Sequence, residues 1–156
     1  YYSRTLDSQK NTMDPATISE NPYLKSNDWG WTIDPLGLYN AISQYWDRYQ
    51  KPIMIAENGF GYEDVFEDGV VHDDYRIDYL RHILVVGEAI KDGVNVFAYL
   101  PWGPIDLVSS GTAEMSKRYG FVYVDLDDYG RGTGERFKKD SFYWYQKVIA
   151  SHGTIL

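Results

Sequence analysis

The chain has 156 residues, 44% of them hydrophobic and 17% aromatic, with a formal net charge of −8 and no cysteine. The acidic balance argues against nucleic acid as a partner, and no apolar run is long enough to cross a bilayer, so we expect no membrane contact either. The absence of cysteine excludes disulfides and thiolate metal sites and fits a reducing compartment, so we expect a cytoplasmic protein.

The first 28 residues predict the end of a strand followed by a long loop. Tyr1 to Thr5 look like the last residues of a strand more than a natural N-terminus, which favours a fragment of a longer protein. Residues 6–28 are polar and turn-rich, and a loop of this length inside a compact domain is usually functional or disordered.

A helix and a buried strand come next. The helix is predicted to begin at Asp34-Pro35, because Asp is a good N-cap and Pro suits the first helical position. Apolar and aromatic residues then recur at helical spacing as far as Tyr49. Residues 52–56 are apolar without alternation, which is typical of a strand covered on both faces, and a polar turn at 57–59 ends the strand.

The second half of the chain repeats this order. A second helix is predicted from Asp73 to Lys91, and a second buried strand from Val94 to Leu100. Residues 121–124 predict an edge strand or a hairpin arm, and residues 141–151 predict a last helix.

The alternation of helices and buried strands indicates parallel β/α units with right-handed crossovers. A complete (β/α)8 barrel needs roughly 250 residues, so we predict an α/β fold that is the C-terminal portion of a TIM barrel and covers about its last three β/α units. Residues 1–156 would then be one fragment of a single domain, with no internal boundary.

Glu57 stands at the C-terminal end of the first buried strand, where TIM barrels carry their active sites. Position alone leaves open an active-site carboxylate or a Glu that caps a turn or pairs with an Arg. The surrounding motifs resemble, in order along the chain, those of family 1 of the glycoside hydrolases: Tyr1-Tyr2, residues 29–38, Ile55-Ala56-Glu57-Asn58-Gly59, residues 102–106, residues 118–125 and residues 138–145.

This resemblance implies a retaining β-glycosidase in which Glu57 is the nucleophile and Tyr2 hydrogen-bonds to it. It also implies that the Trp102 ring forms the floor of the sugar site and that Trp31 flanks the leaving group. The peptide bond after Trp102 would be a non-proline cis bond. Tyr2 and Trp31 also have structural interpretations, as a core Tyr and as packing at the start of a helix. The family carries its second carboxyl group in an Asn-Glu-Pro segment, which this sequence lacks, so we expect the isolated chain to be inactive.

Three further residues indicate a phosphorylated substrate. Ser109 stands where family members that act on unmodified glucosides carry a Glu, and a hydroxyl can donate a hydrogen bond to a phosphate that a carboxylate would repel. With Lys117 and Tyr119 it resembles the phosphate-binding trio of 6-phospho-β-glycosidases, although the loop length leaves Ser110 open as the alternative ligand. The run from Trp102 to Ser109 is more similar to phosphoglucosidases than to phosphogalactosidases.

We therefore predict retaining hydrolysis of phosphorylated β-glucosides, specifically 6-phospho-β-D-glucosides, with no cofactor and no metal. The three histidines lack the spacing of metal ligands, and His82 is interpreted as a surface or packing residue of the second helix. Two alternatives remain: a β-glucosidase for unphosphorylated sugars, or a non-catalytic sugar-binding or assembly module. Unpaired strand edges in a partial barrel also favour self-association.

Overall fold

Two short strands lie within the N-terminal segment. The computed structural model describes residues 21–156 in full and, before them, the backbone of β1 (Thr5–Leu6) and β2 (Ile18–Ser19). These strands pair antiparallel, with Thr5 opposite Ser19. The prediction of an unbroken loop over residues 6–28 is therefore wrong at these strands, because a two-residue strand is too short to show a periodicity.

The first helix begins as predicted. The remaining elements in chain order are α1 (Pro35–Tyr49), β3 (Ile53–Asn58), α2 (Asp74–Arg81), α3 (Leu84–Lys91), β4 (Val96–Pro101), β5 (Val122–Val124), β6 (Arg136–Lys138) and α4 (Asp140–Ala150). The Asp34 carboxylate caps α1 by accepting a hydrogen bond from Gly37 N at 2.9 Å. At the other end, Gln50 takes the left-handed conformation, with φ 48°, and closes the last turn.

The strands β3 and β4 lie side by side and parallel, with Ile53 opposite Val96 and Ile55 opposite Tyr99. α2 and α3 form the crossover that parallel strands require. The main hydrophobic core lies where α1 and α3 pack on this strand pair: Leu38, Ile42, Ile55, Val86, Ala89 and Val94. The predicted parallel β/α arrangement is confirmed for this unit.

Several apolar residues of these strands are not buried. Met54, Phe97 and Leu100 are 48%, 64% and 42% exposed, whereas Ile55 is 7% exposed. The prediction that both faces are covered is therefore wrong for the described residues, because the helices pack on one face and leave apolar side chains on the other. Exposed apolar strand residues also fit the predicted self-association, which stays a prediction.

The helix predicted from residues 73 to 91 is two helices, α2 and α3, separated by His82 and Ile83. The N–H groups of these two residues donate to carbonyls three residues earlier, at 3.1 and 2.9 Å, so the chain tightens into a 3₁₀-like turn. Hydrophobic spacing did not reveal this break, because residues three and four apart lie on the same face of a helix.

The C-terminal part adds a hairpin and a helix. β5 and β6 pair antiparallel, with Tyr123 opposite Phe137, which confirms the predicted hairpin arm. Ile105 forms a parallel bridge to Val122 and so ties the loop after β4 to this hairpin. α4 packs against α2 and closely matches the predicted last helix. Within the described ranges, no helix is long and apolar enough to cross a membrane.

Candidate active site

A cleft of about 360 Å³ opens at the carboxyl ends of β3 and β4. Its walls come from the start of α1, the turn between α2 and α3, and the loop between β4 and β5. It is lined by six of the predicted site residues: Trp31, Glu57, Trp102, Ser109, Lys117 and Tyr119. The remaining one, Tyr2, lies outside the described residues.

Glu57 occupies the second-last position of β3, with an exposed side chain at the cleft. The next residue, Asn58, is tied to the neighbouring strand, because its side-chain oxygen accepts a hydrogen bond from Tyr99 OH at 2.6 Å. The Asn58 carbonyl also accepts a hydrogen bond from Trp102 N at 2.7 Å. These contacts fix the end of the strand beside the Glu57 carboxylate.

Gly59 allows Trp102 to pack against the end of β3. A Cβ atom at position 59 would lie 2.9 Å from the Trp102 Cβ, which is too close for two carbon atoms. The Trp102–Gly103 peptide bond is trans, so the cis bond implied by the resemblance is wrong. The turn after Trp102 is made instead by Gly103, whose φ of 66° is costly for residues with a side chain.

A second aromatic wall is formed by Trp31 and Tyr119, whose rings stack with centroids 6.2 Å apart. Trp29 lies beside them, 5.7 Å from Trp31. The Asn27 side-chain oxygen holds this segment by accepting hydrogen bonds from Trp29 N and Trp31 N, at 3.1 and 2.9 Å. Gly61 has to be small here, since a Cβ would lie 2.8 Å from the Tyr119 ring.

Three hydroxyl groups and one ammonium meet on one side of the cleft. Ser109 Oγ accepts hydrogen bonds from Thr112 Oγ1 at 3.1 Å and from Tyr119 OH at 3.2 Å. Lys117 Nζ donates to Thr112 Oγ1 at 3.1 Å. Ser109 is buried, whereas Ser110 is exposed and takes no part in these bonds. We call Ser109, Thr112, Lys117 and Tyr119 the hydroxyl–lysine cluster. The sequence did not predict the part played by Thr112, because a single hydroxyl residue in a loop forms no recognisable pattern.

Lys117 has partners on several sides. Its Nζ lies 3.0 Å from Glu114 Oε2 and 5.4 Å from the centre of the Trp29 ring, where a cation is favourable. A hydrogen bond with Thr112 and the pairing with Lys117 lower the pKa of Glu114, so this carboxylate is ionised at neutral pH. The ammonium is therefore held in position by neighbours that belong to the same loop and to the aromatic wall.

A buried ionic network of three cations and three carboxylates lies beneath this loop: Arg76, Arg118, Lys139, Asp64, Asp73 and Asp106. Arg76 pairs with Asp64 at 2.9 Å and with Asp73 at 2.8 Å. Lys139 is fully buried and pairs with Asp106 at 2.8 Å and also with Asp64. Burial raises the pKa of Asp106 and lowers the pKa of Lys139, and the attraction between the two opposes both shifts.

The buried ionic network holds the backbone around Tyr119. Arg76 Nη1 donates to the carbonyls of Arg118 and Tyr119, at 3.1 and 3.2 Å. Asp106 Oδ1 accepts a hydrogen bond from Gly120 N at 2.8 Å, and a Cβ at position 120 would collide with the backbone of Asp106. The contacts among these residues were missed from the sequence, because Arg76 and Arg118 lie 42 residues apart and no local pattern links them.

His82 lies in the wall of the cleft, which the interpretation as a surface or packing residue did not foresee. Burial lowers its pKa, and Nδ1 has no hydrogen-bond partner among the described residues. In the part of the chain that the structure describes, no three His, Cys, Asp or Glu residues are grouped to hold a metal ion.

Comparison with known proteins identifies the family of this chain. Residues 2–154 match the family model described as "Glycosyl hydrolase family 1". The chain is 62% identical over 138 residues to a 6-phospho-beta-glucosidase from Dickeya chrysanthemi. It is 60% identical over 139 residues to the aryl-phospho-beta-D-glucosidase BglH from Bacillus subtilis (strain 168). These matches cover 87% and 88% of this chain but only 30% of each relative.

Solved structures that resemble this chain belong to the same family. The family 1 b-glucosidase from Thermotoga maritima in complex with isofagomine lactam is similar with 40% identity and a TM-score of 0.77, over 90% of this chain and 31% of that one. The predicted fold class, the C-terminal portion of a (β/α)8 TIM barrel, is confirmed by this similarity. A family model that matches nearly the whole chain, together with relatives of this identity, shows that the chain belongs to glycosyl hydrolase family 1.

Proposed function

We propose that this chain carries the nucleophile and the phosphate-binding half of the active site of a retaining 6-phospho-β-glucosidase. The observation that carries the proposal is that Ser109, Lys117 and Tyr119 line the same cleft as Glu57. The two relatives named above are phospho-β-glucosidases, which supports the same class of substrate for the whole enzyme.

Glu57 is the proposed nucleophile. It attacks the anomeric carbon to form a covalent glycosyl-enzyme, which water then hydrolyses with net retention. The reaction needs a second carboxyl group, about 5–5.5 Å from the first, to protonate the leaving oxygen. Among the described residues that line the cleft, the only other carboxylic acid is Asp34, whose side chain caps α1. In this proposal the described residues of the cleft supply one carboxyl group of the pair, and the chain is inactive by itself.

The aromatic walls bind the sugar. Trp102 and Trp31 both line the cleft, and rings of this kind offer an apolar face to the C–H groups of a pyranose. Gly59 lets Trp102 approach the strand that carries Glu57, so the ring and the nucleophile act on the same sugar unit. In this proposal the Trp102 ring forms the floor of the sugar site, and Trp31 flanks the leaving group.

The hydroxyl–lysine cluster binds the 6-phosphate. Lys117 supplies a point charge for the dianion, and the hydroxyls of Ser109 and Tyr119 donate hydrogen bonds to its oxygens. The Ser109 and Tyr119 hydroxyls already lie 3.2 Å apart, so little ordering is needed when the phosphate arrives. Charge-assisted hydrogen bonds of this kind favour a phosphorylated sugar strongly over a neutral one.

The proposal is tested by measuring the affinity of the full chain for glucose 6-phosphate and for glucose. Tryptophan fluorescence serves as the signal, because Trp31 and Trp102 line the cleft. We expect glucose 6-phosphate to bind at least about tenfold more tightly than glucose, and Lys117→Met to abolish the difference. Lys147→Met, which changes an exposed lysine of α4, is the matched control and should change neither affinity.

Equal affinity for the two ligands would overturn the phosphate assignment and favour a β-glucosidase for unphosphorylated sugars. No measurable binding of either ligand, by a chain whose near-UV circular dichroism shows a folded core, would favour the non-catalytic assembly module instead.

A further inference from the structure

Glu114 forms an ion pair with the lysine to which we assign the phosphate. Its Oε2 lies 3.0 Å from Lys117 Nζ, and the two side chains are 43% and 11% exposed, respectively. The ammonium is thus inside the cluster, whereas the carboxylate stands at its rim, partly in solvent. Glu114 plays no part in the function proposed above, so its presence beside a phosphate-binding lysine needs a separate explanation.

The ion pair weakens the attraction of Lys117 for any other anion. An ammonium has three N–H donors, and two of those of Lys117 already serve Thr112 and Glu114. The negative charge of Glu114 also cancels the positive charge that a phosphate would meet, and two like charges at this distance repel each other. A phosphate dianion therefore gains the full charge of Lys117 only when the Glu114 carboxylate has moved away.

The loop is built so that the Glu114 side chain can move while its backbone stays. The Glu114 carbonyl accepts a hydrogen bond from Ser109 N at 2.8 Å. The next two N–H groups, of Met115 and Ser116, donate to Asp128 Oδ1 at 2.5 and 2.7 Å. The backbone is therefore held on both sides of Glu114, and rotation of its half-exposed side chain into solvent leaves the hydroxyl–lysine cluster in place.

We propose that Glu114 competes with the substrate phosphate for Lys117, so that its carboxylate must leave the ammonium before a phosphate dianion can bind there. This inference rests on the proposed function, since it requires Lys117 to be the phosphate ligand. Glu114 is then a specificity-determining residue that acts through Lys117. A neutral sugar leaves the ion pair intact. An anion displaces Glu114 only if hydrogen bonds from the rest of the cluster add to the attraction between the anion and Lys117.

The test uses Glu114→Gln, which removes the charge and keeps the shape of the side chain. The control is Glu135→Gln, which makes the same change of net charge at an exposed glutamate next to β6. The affinities of the full chain for inorganic phosphate, glucose 6-phosphate and glucose are compared for both variants. We expect Glu114→Gln to bind the two phosphates about three- to tenfold more tightly, with glucose unchanged and with Glu135→Gln within about twofold of the original chain.

If Glu114 instead serves to hold Lys117 in position, Glu114→Gln should weaken the binding of phosphate. Equal or weaker binding of phosphate by Glu114→Gln would therefore overturn the inference. Lys117→Met separates this failure from failure of the proposed function. If Lys117→Met abolishes phosphate binding while Glu114→Gln leaves it unchanged, only the competition by Glu114 is wrong. If Lys117→Met still binds phosphate, or if no variant binds it, both proposals fail.

Discussion

At the residue scale, Ser109 and Ser110 are neighbours in sequence with different surroundings. Ser109 is buried and bonded to Thr112 and Tyr119, whereas Ser110 is exposed. A hydroxyl that is already aligned loses little rotamer freedom on binding a ligand, while an exposed one must first be ordered. The loop length left both residues open as phosphate ligands, and burial favours Ser109.

We predict that Ser109→Ala weakens the affinity for glucose 6-phosphate about tenfold, because it removes a hydrogen bond to a charged group. Ser110→Ala is the matched control and should stay within about twofold of the original chain. Both affinities are measured by tryptophan fluorescence at constant ionic strength. A larger loss in Ser110→Ala than in Ser109→Ala would reverse the assignment.

At the scale of elements, two helices distant in sequence support the loop that carries Lys117. Asp73 precedes α2 and accepts a hydrogen bond at 2.8 Å from Ser141 N, in the first turn of α4. Arg76 in α2 reaches the backbone of the loop, and Lys139, just before α4, pairs with Asp106. The buried ionic network therefore links α2 and α4 to the loop that carries Lys117.

We predict that Lys139→Met destabilises the chain by about 3–5 kcal/mol, because it removes a fully buried cation that pairs with both Asp64 and Asp106 and leaves their charges only partly compensated. Urea unfolding measures the loss, and Lys147→Met is the exposed control. An unpaired buried carboxyl has a folded-state pKa above its unfolded value, so it binds more protons when folded and gains stability as the pH falls. The difference between Lys139→Met and the original chain should therefore shrink in acid. A small loss in the free energy of unfolding, or a loss that grows as the pH falls, would contradict this account.

At the scale of the whole molecule, the described cleft contains only part of what a retaining mechanism needs. The chain spans 30% of the length of its phospho-β-glucosidase relatives. Within the described residues, one face of the strand pair β3–β4 presents apolar side chains to solvent, and the cleft offers Glu57 without a second free carboxyl group. A nucleophile without a general acid cannot expel an ordinary sugar leaving group efficiently.

We predict that the full chain hydrolyses a 6-phospho-β-glucoside with a sugar leaving group no faster than its Glu57→Gln variant does. The assay follows release of the free sugar at high protein concentration. Turnover at ordinary enzymatic rates, on the order of 1–10³ s⁻¹, that disappears in Glu57→Gln would show that the chain has a complete active site.

The sequence by itself determined the local elements and the family of this protein. The N-cap at Asp34, the apolar run of β3 and the motif around Glu57 are patterns of a few adjacent residues, and local patterns act through local backbone preferences and spacing. The order of these patterns also identified the parallel β/α arrangement. The sequence motifs also identified the candidate residues of the cleft.

Only the tertiary structure decided which residues support that cleft. The partners of Arg76 and the pairing of Lys139 with Asp106 depend on contacts between segments distant in sequence. The difference in burial between Ser109 and Ser110 likewise arises only in the folded chain. The position of His82 in the wall of the cleft and the ion pair between Glu114 and Lys117 were likewise decided by the tertiary structure. The physical reason is common to all of them: desolvation and charge pairing depend on what surrounds a side chain, and the chain sets that environment only when it folds.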